Sequence, residues 1–495
     1  MTLDLLLVNP CNRKAMFGGV SEYATIAPPL GIAMLASYVR EHGHTVDIID
    51  AEVENLSAEE TAERACSYNP LAVGVTTFTT KMTAAGDFLR ALHSRAPEIR
   101  TMIGGHHASA IPERTLKEEA ADFIIQGEGY VPVTLLVQAL KRDCRAKDVG
   151  IQGVWSRSDD TIIQSKRALS IKNLDTLPLP AWDLLPMKKY KAHHWHCWGK
   201  SDPNAYALVF SSLGCPFDCD FCSVNVVYGM RTQRHLSTAR FLEYLDQLVT
   251  QHGTKHIEII DDTFTLNRNR VIELCNGIIE RQYNLNMWCF ARTDRADPVL
   301  LEKMKQAGIN WVFMGVEAGN DEVLEGVSKR QDVKQVRTAV QNVREAGINV
   351  GACYVFGLSG DTHESMKQTL DFAKELNCDW ANLFVSMAYP GTKLYEDALR
   401  ERPESLPQRW EQYGFFAPNS KPLPTKSLSS EDILRFRDHA FQEYFTGARY
   451  QDMIERKFGP ETRGFIQRML TKKINRLYEQ NENGQHIEVQ EKARN

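Results

Sequence analysis

Short apolar runs alternate with stretches whose apolar residues recur every three or four positions, first over residues 1–145 and again over residues 206–400. In the first region Leu5 to Val8, Val46 to Asp50, Ala72 to Thr76, Thr101 to Ile103 and Phe123 to Ile125 read as strands, with helices such as Gly31 to Glu41 and Ala84 to Ala96 between them. That order predicts an α/β fold with a doubly wound, largely parallel, Rossmann-like sheet, whose ligands bind at the carboxyl ends of the strands. In the second region the strands are Tyr206 to Phe210, Lys255 to Ile260, Asn286 to Phe290, Trp311 to Val316, Gly351 to Phe356 and Ala381 to Met387. Arg240 to Gln251, Val299 to Ala307, Val336 to Ala346 and His363 to Leu376 are among the intervening helices. Six repeated strand–helix units close toward a TIM-like (βα)6 barrel with its chemistry at the strands' carboxyl ends.

Residues 146–205 break the alternation. Val154-Trp155-Ser156 and Thr161-Ile162-Ile163, separated by a turn with Asp159-Asp160, predict a small hairpin, and Leu177-Pro178-Leu179-Pro180 with Pro186 forces an extended, ordered linker. His193-His194-Trp195-His196-Cys197-Trp198 combines four metal-ligand side chains with two indoles; an interdomain packing loop is favoured over a substrate or second metal site. Residues 401–480 read as a small helical domain. Ser429-Ser430-Glu431-Asp432 resembles a capping box, Ile433, Phe436, Ala440, Phe441 and Tyr444 follow at helical spacing as core, and helices are predicted over Arg449 to Phe458 and Glu461 to Tyr478. Residues 481–495 are polar and expected to be disordered.

Composition narrows the function classes. Among 495 residues, 43% hydrophobic and 24% charged content is that of an ordinary globular protein, and a net charge of -5 gives no basic bias toward nucleic acid. No run approaches the roughly eighteen apolar residues of a membrane helix, and Met1 to Val8, with an acid and no basic residue, reads as a strand rather than a signal peptide. Eleven cysteines, scattered singly outside one cluster, argue against a disulfide framework and for a reducing cytoplasm.

That cluster is Cys215, Cys219 and Cys222, in Gly214-Cys215-Pro216-Phe217-Asp218-Cys219-Asp220-Phe221-Cys222 directly after an apolar strand. Pro216 and the two aspartates disfavour a helix, so a loop can wrap three thiolates around one centre, and Gly214 permits the sharp turn into it. Three thiolates leave one iron of a four-iron cluster open; a structural zinc site completed by the His193–Cys197 string is the alternative. The C-x3-C-x2-C spacing, with an aromatic before the third cysteine, resembles the signature of radical S-adenosylmethionine (radical SAM) enzymes, and six units rather than eight resembles their partial barrel.

The resemblance implies a 4Fe-4S cluster on Cys215, Cys219 and Cys222, with SAM chelating the open iron. It implies that Phe221 touches the adenine, that Asp261 and Asp262 receive the SAM amino group, and that Arg292 meets its carboxylate. Gly315-Val316-Glu317-Ala318-Gly319 resembles the ribose-binding motif, Phe356-Gly357-Leu358-Ser359-Gly360 the adenine-side strand end, and Tyr389-Pro390-Gly391-Thr392 the close of the sixth strand.

In the first region Thr76-Thr77 and Gly104-Gly105 stand at strand ends, where small residues let a bulky ligand tail lie against the backbone. They resemble the slot of cobalamin-binding domains, and Pro28-Pro29-Leu30-Gly31-Ile32, Asp50-Ala51 and Gly127-Glu128-Gly129 resemble the N-terminal domain of cobalamin-dependent radical SAM proteins, although Tyr130 stands where an acid often follows. The bland alternative is a Rossmann-like module binding a nucleotide or nothing; G-x-G-x-x-G is absent after the first strand, which disfavours a dinucleotide. The Asp-x-His-x-x-Gly motif is missing too, its closest string being Asp361-Thr362-His363 in the wrong region, so cobalamin is expected with no histidine beneath the cobalt and with His106 and His107 as loop contacts.

The family implication is cleavage of SAM to a 5′-deoxyadenosyl radical and methylation of an unactivated carbon of a small-molecule biosynthetic intermediate from methylcobalamin, with flavodoxin or ferredoxin as electron donor. Oxidative cyclisation or ring rearrangement with the same modules is the alternative, and a non-enzymatic cobalamin or zinc sensor is the rival of another class.

Overall fold

A computed structural model of the chain describes residues 3–143, 150–158, 161–199 and 203–479. The first sheet has the order β2-β1-β3-β4-β5-β6-β7, with β1 Leu3–Asn9, β2 Val46–Asp50, β3 Pro70–Thr77, β4 Arg100–Gly105, β5 Phe123–Ile125, β6 Val154–Ser158 and β7 Thr161–Ile163. The first five run parallel. Period-two alternation divides the core: Leu5 and Leu7 pack on one face with the helix Leu30–Glu41, while Leu6 and Val8 pack on the other with the helices Ala58–Ser67 and Met82–Arg95.

The hairpin read as part of a connector belongs instead to this sheet. Phe123 pairs antiparallel with Ser156 and Ile125 with Val154, and the Trp155 indole N–H donates to Gln126 (3.0 Å), so β6 covers what would be an open edge of β5. Its turn at Asp159-Asp160, the boundary expected at residue 145 and the 481–495 tail lie outside the described residues.

The second sheet is all parallel. It runs in sequence order through β8 (Tyr206–Val209), then β11 (His256–Ile259), β12 (Asn286–Ala291), β13 (Ile309–Glu317), β14 (Asn349–Phe356) and β15 (Trp380–Val385). A separate antiparallel pair, β9 (Ser212–Leu213) with β10 (Arg234–His235), carries the chain into the cysteines. Met287, Cys289, Ala291, Val312 and Met314 lie under the helices in the main core. Their neighbours Trp288, Phe290, Trp311 and Phe313 face the other way, into the barrel, and cluster with Trp195.

The His193–Trp198 string closes the amino-terminal end of this barrel. His196 Nε2 meets the Asn286 carbonyl (3.0 Å), the Asn286 amide donates back to the His196 carbonyl (2.8 Å), and Cys197 Sγ approaches His256 Nδ1 (3.7 Å). Those strand residues begin β12 and β11, so the string packs where the sequence reading favoured packing. Among the described residues, no group of three or more His, Cys, Asp and Glu side chains converges on a position for one metal ion.

The carboxyl-terminal helices Ser430–Thr446, Ala448–Phe458 and Pro460–Leu470 dock on the barrel through Tyr444 Oη to the Cys378 carbonyl (2.8 Å) and Arg437 Nε to the Leu383 carbonyl (2.7 Å). Ser429 caps the first of them with Asp432, as read. Ile433, Ala440 and Tyr444 are core, whereas Phe436 and Phe441 are only partly buried. The helix expected to reach Tyr478 stops at Leu470. The fully buried Arg476 draws the chain aside, donating to Asp438 (2.8 Å) and to the Ala417 carbonyl (2.9 Å), contacts that continued helix would not make. Among the described residues no helix is long and apolar enough to cross a membrane.

Two buried bonds tie the first sheet to the segments that lead into the barrel. Tyr190 Oη donates to Asp50 (2.7 Å), and Glu128, just beyond β5, pairs with Arg234 on β10 while accepting the Ile171 N–H (2.7 Å). Breaking a buried ion pair from one side leaves a charge without its partner. Arg234→Met is therefore expected to lower unfolding stability in urea by about 3–5 kcal/mol, and adding Glu128→Gln to recover much of that loss.

Candidate active site

Gly214 turns the chain from β9 into the cysteines at φ +88°, and a side chain there would put its Cβ 2.3 Å from the Thr232 carbonyl oxygen. Its N–H donates to Asp262 (2.9 Å). Asn225 then clasps Cys215: its side-chain oxygen accepts the Cys215 N–H (3.2 Å) and its amide donates to the Cys215 carbonyl (2.8 Å). A turn closes where the Cys222 N–H meets the Cys219 carbonyl (3.1 Å). The aspartates between the cysteines anchor the loop, Asp218 to Arg330 (2.9 Å) and Asp220 to Lys393 (3.1 Å). Cys215 and Cys219 are half-buried, Cys222 is exposed, and all three are free thiols. A four-iron cube takes one thiolate at each of three corners and leaves the fourth iron open, which matches the three cysteines that this one loop supplies.

The strands beside this loop divide by parity. Along a strand, even separations keep side chains on one face. Glu258, Phe290 and Phe313 face the barrel interior; Asp262 and Arg292 follow just beyond the ends of β11 and β12, and Glu317 ends β13 across a register shift, its Oε1 2.3 Å from where a Cβ on the inward position Gly315 would lie. Burial pushes the Asp262 carboxyl up to about 6, against the Gly214 bond that pulls it down. The Arg292 guanidinium lies 3.7 Å over the Phe217 ring, with Nε on Asp294 (3.0 Å) and Nη2 on the Lys329 carbonyl (3.2 Å). Glu317, at φ +66°, pairs with Lys329 Nζ (2.5 Å). Burial opposes that ammonium, but the carboxylate beside it leaves Lys329 above its ordinary range.

Two residues expected at SAM are placed elsewhere. Asp261, of opposite parity, is fully buried and accepts the Ser211 N–H (2.6 Å) and the Ser211 hydroxyl (2.6 Å), as well as the Ser212 hydroxyl, so its carboxylate fixes the strand end instead of meeting a ligand. Phe356 is likewise buried on the helix side against Phe436 (5.1 Å between centroids), leaving only the backbone beyond it at the strand end. Phe221 is partly buried and packs against two small core clusters, one containing Val355 and Leu358 and the other Leu394 and Tyr395. Asn225, Phe217 and Lys329 were missed in the sequence; Asn225 and Lys329 stand outside any spaced motif, and Phe217 was visible only as an aromatic inside the cysteine run.

At the first sheet, Thr77 Oγ1 donates to the Gly104 carbonyl (3.1 Å) while Thr76 is half-buried. Gly105, at φ +103°, leaves no room for a Cβ, which would lie 2.5 Å from the Thr77 carbonyl oxygen. Gly127 donates its N–H to Ser109 (3.0 Å), and Glu128 is consumed by Arg234 rather than turned to a slot. Phe78 is 55% exposed at the carboxyl end of β3 with His106 stacked on it at 5.0 Å, an apolar surface suited to a flat macrocycle. His107 is buried between Thr79 (3.2 Å) and the edge of Trp410, and its Nε2 has no partner. Burial lowers His106 to about 4 and His107 to about 3, so both are neutral.

The two ligand-bearing edges face one another. Arg167 donates to the Ser109 carbonyl (3.1 Å) and to the Val226 carbonyl, and a Cβ on Gly391 would touch both Val226 (2.9 Å) and Ala110 (3.2 Å). The first sheet's strand ends thus abut the segment that follows the cysteines.

Comparison with known proteins agrees in order and extent. Residues 18–137 match the B12 binding domain family and residues 209–373 the radical SAM superfamily. The chain is 31% identical to an uncharacterized methyltransferase of Pyrococcus horikoshii over 97% of this chain and 99% of that protein. It is 28% identical to the anaerobic magnesium-protoporphyrin IX monomethyl ester cyclase of Rubrivivax gelatinosus over 82% of this chain and 72% of that one. Its fold resembles the radical S-adenosylmethionine methyltransferase TsrM of Kitasatospora setae, solved with cobalamin and a 4Fe-4S cluster, at a TM-score of 0.64 and 16% identity, covering 80% of this chain and 78% of that one. A relative matched end to end, with both domain families in order, means that the chain belongs to the cobalamin-dependent radical SAM enzymes, with an iron–sulfur cluster, SAM and cobalamin as its cofactors.

Proposed function

We propose that the chain methylates an unactivated carbon of a small-molecule biosynthetic intermediate. Cys215, Cys219 and Cys222 hold the cluster; Asp262 receives the SAM amino group and Arg292 its carboxylate, Glu317 with Lys329 receives the ribose, and Phe221 lies on the adenine. Thr76, Thr77, Gly104, Gly105 and Gly127 line the cobalamin slot. Residues 1–145 carry cobalamin, 206–400 the radical chemistry, and 401–480 close the barrel. The bound groups supply an electron that splits SAM into methionine and a 5′-deoxyadenosyl radical, and a methyl group carried on cobalt. The protein's own contribution is placement: Phe217 and Asp294 fix the Arg292 fork, and Lys329 holds Glu317.

The observation that carries this reading is the gathering of Asp262, Arg292 and Glu317 at adjoining strand ends beside the cysteine loop, Asp262 on the Gly214 N–H and Arg292 over Phe217. Methyl transfer is preferred to cyclisation because the methyltransferase relative is matched over its whole length and the cyclase over part. Work in a reducing cytoplasm, with flavodoxin or ferredoxin as donor, suits ten free thiols among the described residues.

The reconstituted protein, given reductant and substrate, is expected to produce both 5′-deoxyadenosine and S-adenosylhomocysteine. Formation of 5′-deoxyadenosine alone would replace methylation by cyclisation or rearrangement, and zinc-filled protein that leaves SAM intact would replace both by a sensor. Gly214→Ala is expected to leave the protein folded but to lower its iron content per chain, since the added methyl displaces the Thr232 carbonyl beside Cys215. With neither His106 nor His107 on cobalt, His106→Ala and His107→Ala should leave the electron paramagnetic resonance spectrum of bound cobalt(II) without change in axial nitrogen splitting; loss of such splitting in either variant would identify a ligand.

A further inference from the structure

Below those strand ends lies a cavity of 880 Å³. Its walls are aromatic: Trp195, Trp288, Phe290 and Phe313 from the barrel side, with Phe441 and Phe465 from the carboxyl-terminal helices. It lies on the inner face of the strands whose ends carry the proposed SAM residues. Phe290 is two residues before Arg292 and Glu258 four before Asp262, distances of ~7 and ~13 Å along a strand. At its outer end it reaches the exposed Lys472 and Lys473.

Polar side chains such as Arg435, Asp438 and Gln442 gather toward the carboxyl-terminal helices, and on the barrel strands two polar groups bear on the argument. Glu258 opens onto the cavity and accepts the Tyr206 hydroxyl, and burial pushes its carboxyl up to about 7. Trp288, 3% exposed, carries an indole N–H with no hydrogen-bond partner. A buried donor left unpaired costs about 1–3 kcal/mol, which an acceptor brought by a ligand would relieve. The volume is near the upper end of small-molecule pockets, about 300–1,000 Å³, and far exceeds what a short polar metabolite would fill.

Resting on the radical SAM reading above, the geometry points to a substrate that is a large, mostly apolar ring-bearing molecule, seated in the aromatic cavity with an oxygen function at its inner end bonded to Trp288 Nε1 and Glu258. Aromatic walls serve such a substrate twice. They supply apolar contact area, and their ring C–H bonds are stronger than an alkyl C–H bond, so the ring edges that face the substrate do not return hydrogen to a carbon radical. The substrate's oxygen function fixes which carbon rises toward the strand ends.

The test is a tryptophan-fluorescence titration of the cofactor-loaded protein with estradiol, retinol and abietic acid, which are ring-bearing apolar alcohols or acids, and with free amino acids as the small polar class. At least one of the three is expected to titrate to saturation and the amino acids not to. Phe290→Trp, which fills the cavity, should weaken that binding at least tenfold; Trp288→Phe, which keeps an aromatic ring but removes the N–H together with the pyrrole half of the indole, about fivefold. Cluster absorbance and bound cobalamin report folding of each variant. Saturable binding by amino acids alone, no titration by any of the three, or an unchanged titration in Phe290→Trp would each overturn the proposal. SAM cleavage by the wild-type protein is measured separately, so that failure of the radical reading is distinguished from failure of the pocket.

Discussion

The buried pair between Glu128 and Arg234 is the joint that fixes the first sheet to the strand pair leading into the cysteines. Glu128 stands just past β5 in the first sheet; Arg234 lies on β10, whose partner β9 runs into Gly214 and the cysteines. The pair therefore ties the carboxyl edge of one sheet to the base of the cysteine loop. Desolvating two charges is expensive, and the cost is offset because Glu128 also accepts the Ile171 N–H and Arg234 donates to the Ile171 carbonyl. A connector residue is thereby fixed to both sheets by one short network. Cofactors that must react with each other need their binding edges held at a constant separation, and a pair inaccessible to solvent and little screened by salt provides that.

Within the barrel the governing constraint is parity. A parallel strand covered by helices on one side has only alternate residues free for chemistry. Asp261 and Phe356 fall on the covered side and become structural, Asp261 by bonding Ser211 and Ser212 and Phe356 by packing on Phe436. Asp262, Arg292 and Glu317 lie at the strand ends toward the cysteine loop, where Asp262 accepts the Gly214 N–H and Arg292 covers Phe217. Adjacent residues with nearly the same chemistry, such as Asp261 and Asp262, thus take unrelated tasks.

Much of this could be read from the chain because period-two and period-3.6 patterns are local. All five parallel strands of the first sheet and all six of the barrel were legible, as was the cysteine loop, since its spacing, Pro216 and Gly214 lie within nine residues. What escaped depends on distant partners. The hairpin at Val154–Ile163 has no local mark that says which sheet it joins; Gln126 and the β5 edge decide that. The end of the last helix is set by Arg476 reaching Asp438 and Ala417, some forty and sixty residues away. Glu128 looked like part of a ligand slot because Gly127 and Gly129 flank it, and only Arg234, more than a hundred residues on, shows its task.

The His193–Trp198 string illustrates how one segment answers to two pressures. His196 and Cys197 are drawn to the first residues of β11 and β12, closing the barrel end from which a radical would otherwise be open to solvent. Trp195, held by that closure, is pressed against Trp288, Trp311 and Phe313 at ring separations of 4.5–5.2 Å. The plug therefore also supplies part of the cavity wall. A metal at these histidines would pull the imidazoles toward a common point and withdraw Trp195 from the barrel, so packing and metal binding are competing uses of the string. Packing is the use this barrel shows: Trp195, Trp288, Trp311 and Phe313 meet edge-on or tilted over the hydrogen-bonded plug, and the end far from the cysteines is thereby lined with rings instead of metal ligands.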